Sequence, residues 1–127
     1  SLEDKRAESY AKGTLGWLYE QTGQLNNAKS LTEKSLFLAQ SIEASDISYQ
    51  WEWQLGRLLK AEGNTKLAIS YYEQAIKTLQ LLRKDLVAIN PEIQFSFREN
   101  VEPVYRELVE LLLQAPLGAE LPQDNLK

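Results

Sequence analysis

Residues 13–36 read GTLGWLYEQTGQLNNAKSLTEKSL, and residues 53–76 repeat the pattern 40 residues later as WQLGRLLKAEGNTKLAISYYEQAI. The Leu-Gly pair at positions 15–16 returns at positions 55–56. A fixed period of this size indicates a repeat architecture, in which each unit needs a neighbour to bury its apolar face. The sequence therefore predicts a helical binding scaffold rather than a catalytic pocket.

The composition is that of an ordinary globular domain, with 127 residues, of which 43% are hydrophobic and 25% are charged. The net charge of −4 provides no overall positive field for nucleic acid or anionic lipid. No apolar run approaches the roughly 20 residues that cross a bilayer, and no signal-peptide pattern opens the chain. We expect a cytoplasmic protein that binds neither nucleic acid nor membrane. Because methionine is missing at position 1, we also expect a piece of a longer protein, with an N-terminally processed chain as the alternative.

Cysteine and histidine are absent from the sequence. Their absence removes the thiol nucleophile, the commonest metal ligand and the usual general base near neutral pH. Glu107 and Glu110 lie three positions apart beside Arg106, which is ordinary patterning of a helix surface. We therefore expect no enzyme activity, no metal and no cofactor.

Apolar residues recur at helical spacing along most of the chain and predict an all-α fold of about five helices. Gly23 and Gly63 are expected to end the first and third helices, because glycine accepts the left-handed conformation. Ser45-Asp46 is expected to cap the third helix, and Asn64-Thr65 the fourth. The predicted spans are about 4–22, 26–44, 47–62, 65–89 and 100–114.

The predicted fourth helix is broken by Asn90-Pro91, because proline disfavours a helical predecessor and has no amide donor. Residues 91–97 then form a connector that carries Ile93, Phe95 and Phe97. We expect these apolar side chains to pack onto the bundle as a plug.

The start of the last helix has two readings. Ser96 with Glu99 is a possible capping box, but Pro103 would then lie inside the helix and kink it. Asn100 as the cap places Pro103 in the tolerant first turn, and we favour that start.

The repeated stretch resembles the tetratricopeptide repeat, whose signature places W, L, G and Y on a first helix and A and F on a second. Small residues in this pattern let two helices of a hairpin approach closely. Lys12, Thr32, Glu52 and Leu59 depart from the signature, and the period is longer than the standard 34 residues. The matching positions are Leu15, Gly16, Tyr19, Ala28, Leu55, Gly56, Ala68 and Tyr72.

This resemblance covers about residues 7–89 and implies antiparallel helical hairpins stacked as a short right-handed α-solenoid. We expect one domain over residues 1–114, with repeat units at about 9–44 and 49–89 and a closing helix at about 100–114. Residues 115–127 hold two prolines and a glycine with little periodicity, so we expect a flexible tail or linker.

The closing stretch carries a narrower resemblance. Residues 83–86 (RKDL), 95–98 (FSFR) and 101–108 (VEPVYREL) are similar to the segment that joins tetratricopeptide arrays to a CHAT domain in large cyanobacterial proteins. That resemblance implies further helical repeats upstream and a caspase-like domain downstream. Because this chain holds no catalytic His/Cys pair, peptidase chemistry would belong to another part of such a protein.

The resemblance also implies a binding surface, since the first helix of each hairpin lines the concave face of such arrays. Trp17 and Trp53 are the favoured contacts, because tryptophan dominates interface hot spots. The alternative is that either ring packs against a neighbouring helix, whereas Trp51 is expected to belong to the core. The candidate partner-binding residues are Tyr10, Trp17, Glu20, Gln21, Gln50, Trp53, Arg57, Lys60 and Arg106.

Arg57, Lys60 and Arg106 could form a cationic strip for an acidic peptide or a terminal carboxylate. The alternative is an ordinary solvated face. The carboxylate clamp of chaperone-binding tetratricopeptide domains needs lysine and asparagine where this chain has Gly13 and Trp17, so we expect no chaperone-tail binding.

The sequence predicts a protein–protein interaction module that binds a peptide or a partner domain, with self-association through exposed array ends as a further possibility. On this reading, replacing Trp53 and Arg57 by alanine abolishes binding and barely changes the melting temperature. The alternative function is an architectural spacer or cap of a longer array, which positions a downstream CHAT domain.

Overall fold

The computed structural model describes residues 1–90 and 92–114, with the backbone alone for 93–97. The described residues form five α-helices and no strand. None of these helices combines the length and the apolar character needed to cross a membrane. The helices are α1 (Leu2–Gln21), α2 (Leu25–Ser41), α3 (Ser45–Ala61), α4 (Thr65–Ile89) and α5 (Ile93–Gln114).

Three tight turns join the first four helices. Gly23 and Gly63 have φ of 81° and 90°, so both stand in the left-handed region that glycine tolerates. The amide of the following residue bonds back across each turn, from Gln24 to the carbonyl of Tyr19 at 2.9 Å and from Asn64 to that of Leu59 at 2.9 Å. These bonds are those of a Schellman motif and fold each pair of helices into an antiparallel hairpin.

The turn between α2 and α3 uses Glu43 where the other two turns use glycine. Glu43 has φ of 54°, and the amide of Ala44 bonds to the carbonyl of Ala39 at 2.9 Å. A residue with a Cβ is less stable than glycine in this conformation. The link between the two hairpins therefore carries local backbone strain.

Gly16 and Gly56 lie where the helices of each hairpin cross. A Cβ at Gly16 would stand 2.8 Å from Thr32 Oγ1 and 3.2 Å from the carbonyl oxygen of Ala28. A Cβ at Gly56 would stand 2.9 Å from the ring of Tyr72. The predicted close approach at the duplicated glycines is therefore confirmed.

Two apolar clusters hold the helices together. The first joins the two hairpins, and the second joins the second hairpin to α5. Together they stack the antiparallel hairpins as a short α-solenoid, the predicted fold class. The first cluster consists of Leu36, Ala39, Ala44, Ile47, Trp51 and Leu55, and the second is built around Leu59, Tyr72, Leu79, Val104 and Leu111.

A buried carboxylate lies within the junction between the hairpins. Glu52 of α3 is 1% exposed, and its Oε2 accepts a long hydrogen bond of 3.4 Å from Gln40 of α2. Its Oε1 has no hydrogen-bond partner among the described residues. Burial raises the pKa of Glu52 to about 7, and hydrogen bonds from Thr78 and Gln40 oppose the shift.

The caps differ in part from those that the sequence predicts. Asn64 caps α4, since its side chain accepts from the amide of Leu67 at 3.3 Å. Ser45 and Asp46 do not cap α3, because both lie inside the helix and its N-cap is Ala44, without a side-chain bond. Asp46 pairs instead with Arg6 of α1, whose hydrogen bond lowers the pKa of Asp46. The ion pair between Asp46 and Arg6 thus links the second hairpin to the first.

The last helix begins earlier than expected. It starts at Ile93 and contains Pro103 in its interior, so the favoured start at Asn100 is wrong. Val101 and Val104 are buried on either side of the proline, which indicates that packing against α4 outweighs the lost backbone hydrogen bond.

Helix α4 ends at Ile89 with Asn90 as its cap, and the described residues resume at position 92. The predicted plug at 93–97 concerns side chains outside the described residues, and so does the predicted tail at 115–127.

Candidate protein-binding surface

An open groove of about 540 Å³ runs between α1 and α3, the first helices of the two hairpins. We call it the α1–α3 groove. Its lining combines aromatic rings with uncharged amide and hydroxyl groups and a single guanidinium. The lining residues are Tyr10, Thr14, Trp17, Tyr49, Gln50, Trp51, Trp53, Gln54 and Arg57.

The wall on α1 follows from helical spacing. Tyr10, Thr14 and Trp17 stand four and three positions apart, so they share one face of the helix. Trp17 is 45% exposed and Tyr10 is exposed too. Within the described part of the chain, Trp17 is therefore available to a partner rather than packed in the core.

The floor of the groove is Trp51, which is buried. Its indole N–H donates to Ser9 Oγ at 3.0 Å, and its ring occupies the space that a side chain at Gly13 would need. The ring of Tyr10 leans against it, with the centroids 6.1 Å apart and the planes tilted by 53°. Trp51 belongs to the core as predicted, and it also supports the exposed ring of Tyr10.

The other favoured tryptophan is held by α5. The indole N–H of Trp53 donates to Glu107 Oε1 at 2.8 Å, and the hydroxyl of Tyr72 donates to the same oxygen at 2.8 Å. Burial, followed by the hydrogen bond to Glu107, raises the pKa of Tyr72. Glu107 is therefore a structural link between the second hairpin and α5, and the prediction of ordinary surface patterning for this residue is wrong.

Arg57 is the guanidinium of the groove, and its charge is already balanced. Its Nε and Nη2 donate to the two carboxylate oxygens of Glu20, each at 2.9 Å. The Nη2 atom also reaches Gln54 Oε1 at 3.3 Å, and the guanidinium carbon lies 5.4 Å from the ring centroid of Trp53. The groove thus offers a charge-balanced pair of guanidinium and carboxylate rather than an open cationic site.

These contacts change the expected behaviour of the double alanine variant. Removing Arg57 would leave Glu20 without its bidentate partner, and removing Trp53 would take one donor from Glu107. Both losses destabilise the fold. We therefore expect the variant's melting temperature to fall. Because lost binding could then result from lost stability, a binding test needs a residue without such contacts.

The predicted site residues separate into two groups. Tyr10, Trp17, Gln50, Trp53 and Arg57 line the groove together. The others are not among its lining residues. Glu20 pairs with Arg57, Arg106 pairs with Glu102 at 2.7 Å, and Gln21 and Lys60 are exposed.

Sequence reasoning missed several residues of the groove. Gln54 is buried and donates to the carbonyl of Gly13 at 3.0 Å and to Thr32 Oγ1 at 2.8 Å. It connects α1, α2 and α3 beneath the groove. Thr14 and Tyr49 were also missed. For Thr14 a signal existed, because it lies four residues after Tyr10 on the same helical face.

The described residues contain no group of three or more acidic side chains placed to hold a metal ion.

A comparison with curated proteins gives no significant match. The family described as tetratricopeptide repeat matches this chain at residues 9–41 and 53–78. The two matched segments cover most of the first hairpin and the centre of the second, and such repeats generally form non-catalytic scaffolds that mediate protein–protein interaction. Two segments of the chain therefore match the tetratricopeptide repeat, and the paired helices are hairpins of that type.

Proposed function

We propose that this chain is a protein-interaction module that binds an extended segment of a partner protein in the α1–α3 groove. The observation that carries the proposal is the row of aromatic rings along an open groove between two successive first helices. Exposed tyrosine and tryptophan supply large rigid contact area together with a hydrogen-bond donor.

The charge balance of the groove favours a particular chemistry in the bound segment. Because Glu20 already satisfies Arg57, an acidic side chain would have to displace that pair to bind there. Aromatic faces and neutral amides instead suit an apolar or proline-containing strand. We infer a segment of low net charge rather than the acidic peptide that the arginine and lysine positions predict.

The test begins with peptides selected from a random display library on the intact chain. Their affinities are then measured for the wild type, for Trp17→Ala and for a matched control, Phe37→Ala. Phe37 is also an exposed aromatic residue of the first hairpin but lies on α2, outside the groove. We expect Trp17→Ala to weaken binding at least tenfold and Phe37→Ala to leave it unchanged. Equal effects of the two substitutions would refute the groove as the binding site.

A second candidate function is the architectural spacer, in which the segment caps an array and positions a downstream CHAT domain. The two hydrogen bonds to Glu107 favour it, because they fix α5 on the second hairpin. Such a spacer needs a rigid α5, and amide hydrogen exchange measures that rigidity. Protection in α5 equal to that in α3 supports the spacer, and exchange at the rate of an unfolded peptide contradicts it. The cytoplasmic location and the absence of nucleic-acid and membrane partners stay predictions from the sequence.

A further inference from the structure

Several side chains are exposed on α1, although the residues at the equivalent positions of the second repeat, on α3, are buried. Leu15 and Leu18 are 43% and 48% exposed, whereas Leu55 and Leu58, their counterparts 40 residues later, are each 1% exposed. Two alanines show the same difference between the repeats. The matched pairs are Ala7 with Ile47, Ala11 with Trp51, Leu15 with Leu55, and Leu18 with Leu58.

In the second repeat, the first hairpin covers these positions. Leu55 and Trp51 share a cluster with Leu36 and Ala39 of α2. The internal hairpin–hairpin interface thus shows what this face of a repeat packs against, which is the surface of other helices. The corresponding face of α1 is built in the same register and has no covering element among the described residues. We call it the α1 outer face, defined by Ala7, Ala11, Leu15 and Leu18.

The α1 outer face differs from its counterpart in a way that suits a second helix. At position 11 it carries alanine, where the second repeat carries Trp51. Small side chains at Ala7 and Ala11 allow two helix backbones to approach closely, and Leu15 and Leu18 then supply the apolar contact.

Two acids and two bases beside this face balance one another. Glu8 and Lys12 form an ion pair on α1 at 3.6 Å, and Glu33 and Lys34 of α2 line the same shallow hollow of about 430 Å³ between the two helices. A face with two acids and two bases around an apolar centre can meet its own copy without net repulsion. Self-complementarity of this kind is what a two-fold symmetric interface requires.

We propose that a second copy of this chain packs on the α1 outer face, with α1 against α1 about a two-fold axis. At helical spacing, the α1 outer face and the row of Tyr10, Thr14 and Trp17 occupy adjacent sides of α1, with centres about 90° apart. The two faces use different side chains, so the inference does not rest on the proposed peptide binding.

The first test measures mass by light scattering after size exclusion over a range of protein concentrations. The wild type should shift from the monomer mass of 14.5 kDa toward twice that value as concentration rises. Leu15→Asp/Leu18→Asp should remain at the monomer mass, and Leu81→Asp, an exposed control on α4, should behave as the wild type. A wild type that stays monomeric throughout, or a dimer that persists in the folded double variant, would overturn the proposal.

The second test does not depend on the folding of the aspartate variant. Because the sequence has no cysteine, Ala11→Cys introduces a single thiol at the α1 outer face. Under oxidising conditions it should form a disulfide-linked dimer, while Lys77→Cys, at an exposed position of α4, should form much less. Equal cross-linking of the two variants, or none at position 11, would count against the two-fold contact.

Discussion

The buried Glu52 predicts an unusual loss of stability with rising pH. Its pKa is about 7 in the folded protein against an ordinary value of 4.5. Between these values the folded state binds a proton that the unfolded state releases, so the stabilisation present below pH 4.5 is lost as pH rises toward 7. The full shift corresponds to about 3 kcal/mol, of which about 2–3 kcal/mol falls between pH 5 and pH 8.

The perturbation that isolates this effect is Glu52→Gln, which keeps the size of the side chain and removes its titration. Its neighbours Gln40 and Thr78 are uncharged, so no ion pair is lost. We expect the variant to gain about 2–3 kcal/mol relative to the wild type as pH rises from 5 to 8. Chemical denaturation at each pH measures the difference, with Glu73→Gln, an exposed carboxylate on α4, as the control. A wild-type minus variant difference that does not change with pH would refute the argument.

Three further substitutions test the packing by chemical denaturation. Gly56→Leu should lose roughly 1–3 kcal/mol through overlap with the Tyr72 ring, and wild-type stability would place the helix crossing elsewhere. Glu43→Gly should gain about 0.5–1 kcal/mol by relieving the left-handed backbone, whereas a loss would contradict strain at that turn. Glu107→Ala should lose roughly 1–3 kcal/mol by removing the acceptor of two hydrogen bonds, and an equal loss in the exposed control Glu110→Ala would remove the special role of Glu107.

The fold was predictable because its determinants repeat. Gly16 and Gly56 recur in register, and the structure places both at helix crossings. The start of α5 was not predictable, because the local rule against an internal Pro103 competes with burial of Val101 and Val104. That competition is decided by packing against α4, which neighbouring residues in the sequence do not reveal.

The site was predictable only as far as one helix determines it. Tyr10 and Trp17 share a face of α1, and helical periodicity alone places them together. The sequence could not show which side chains on other helices these residues contact. The pairing of Arg57 with Glu20 spans the two hairpins, and that of Trp53 with Glu107 spans α3 and α5. The first pairing balances the charge of the arginine in the groove, and the second fixes Trp53 against α5.

The role of the α1–α3 groove is tested most directly by nuclear magnetic resonance of the indole and backbone N–H signals during titration with a library-selected peptide. The chain has only three tryptophans, so each signal can be assigned by single substitution. The account predicts the largest shift for Trp17, a smaller one for Trp53 and little change in the backbone amide of Phe37. Shifts concentrated around Phe37 and Lys34, with the indole of Trp17 unmoved, would contradict it.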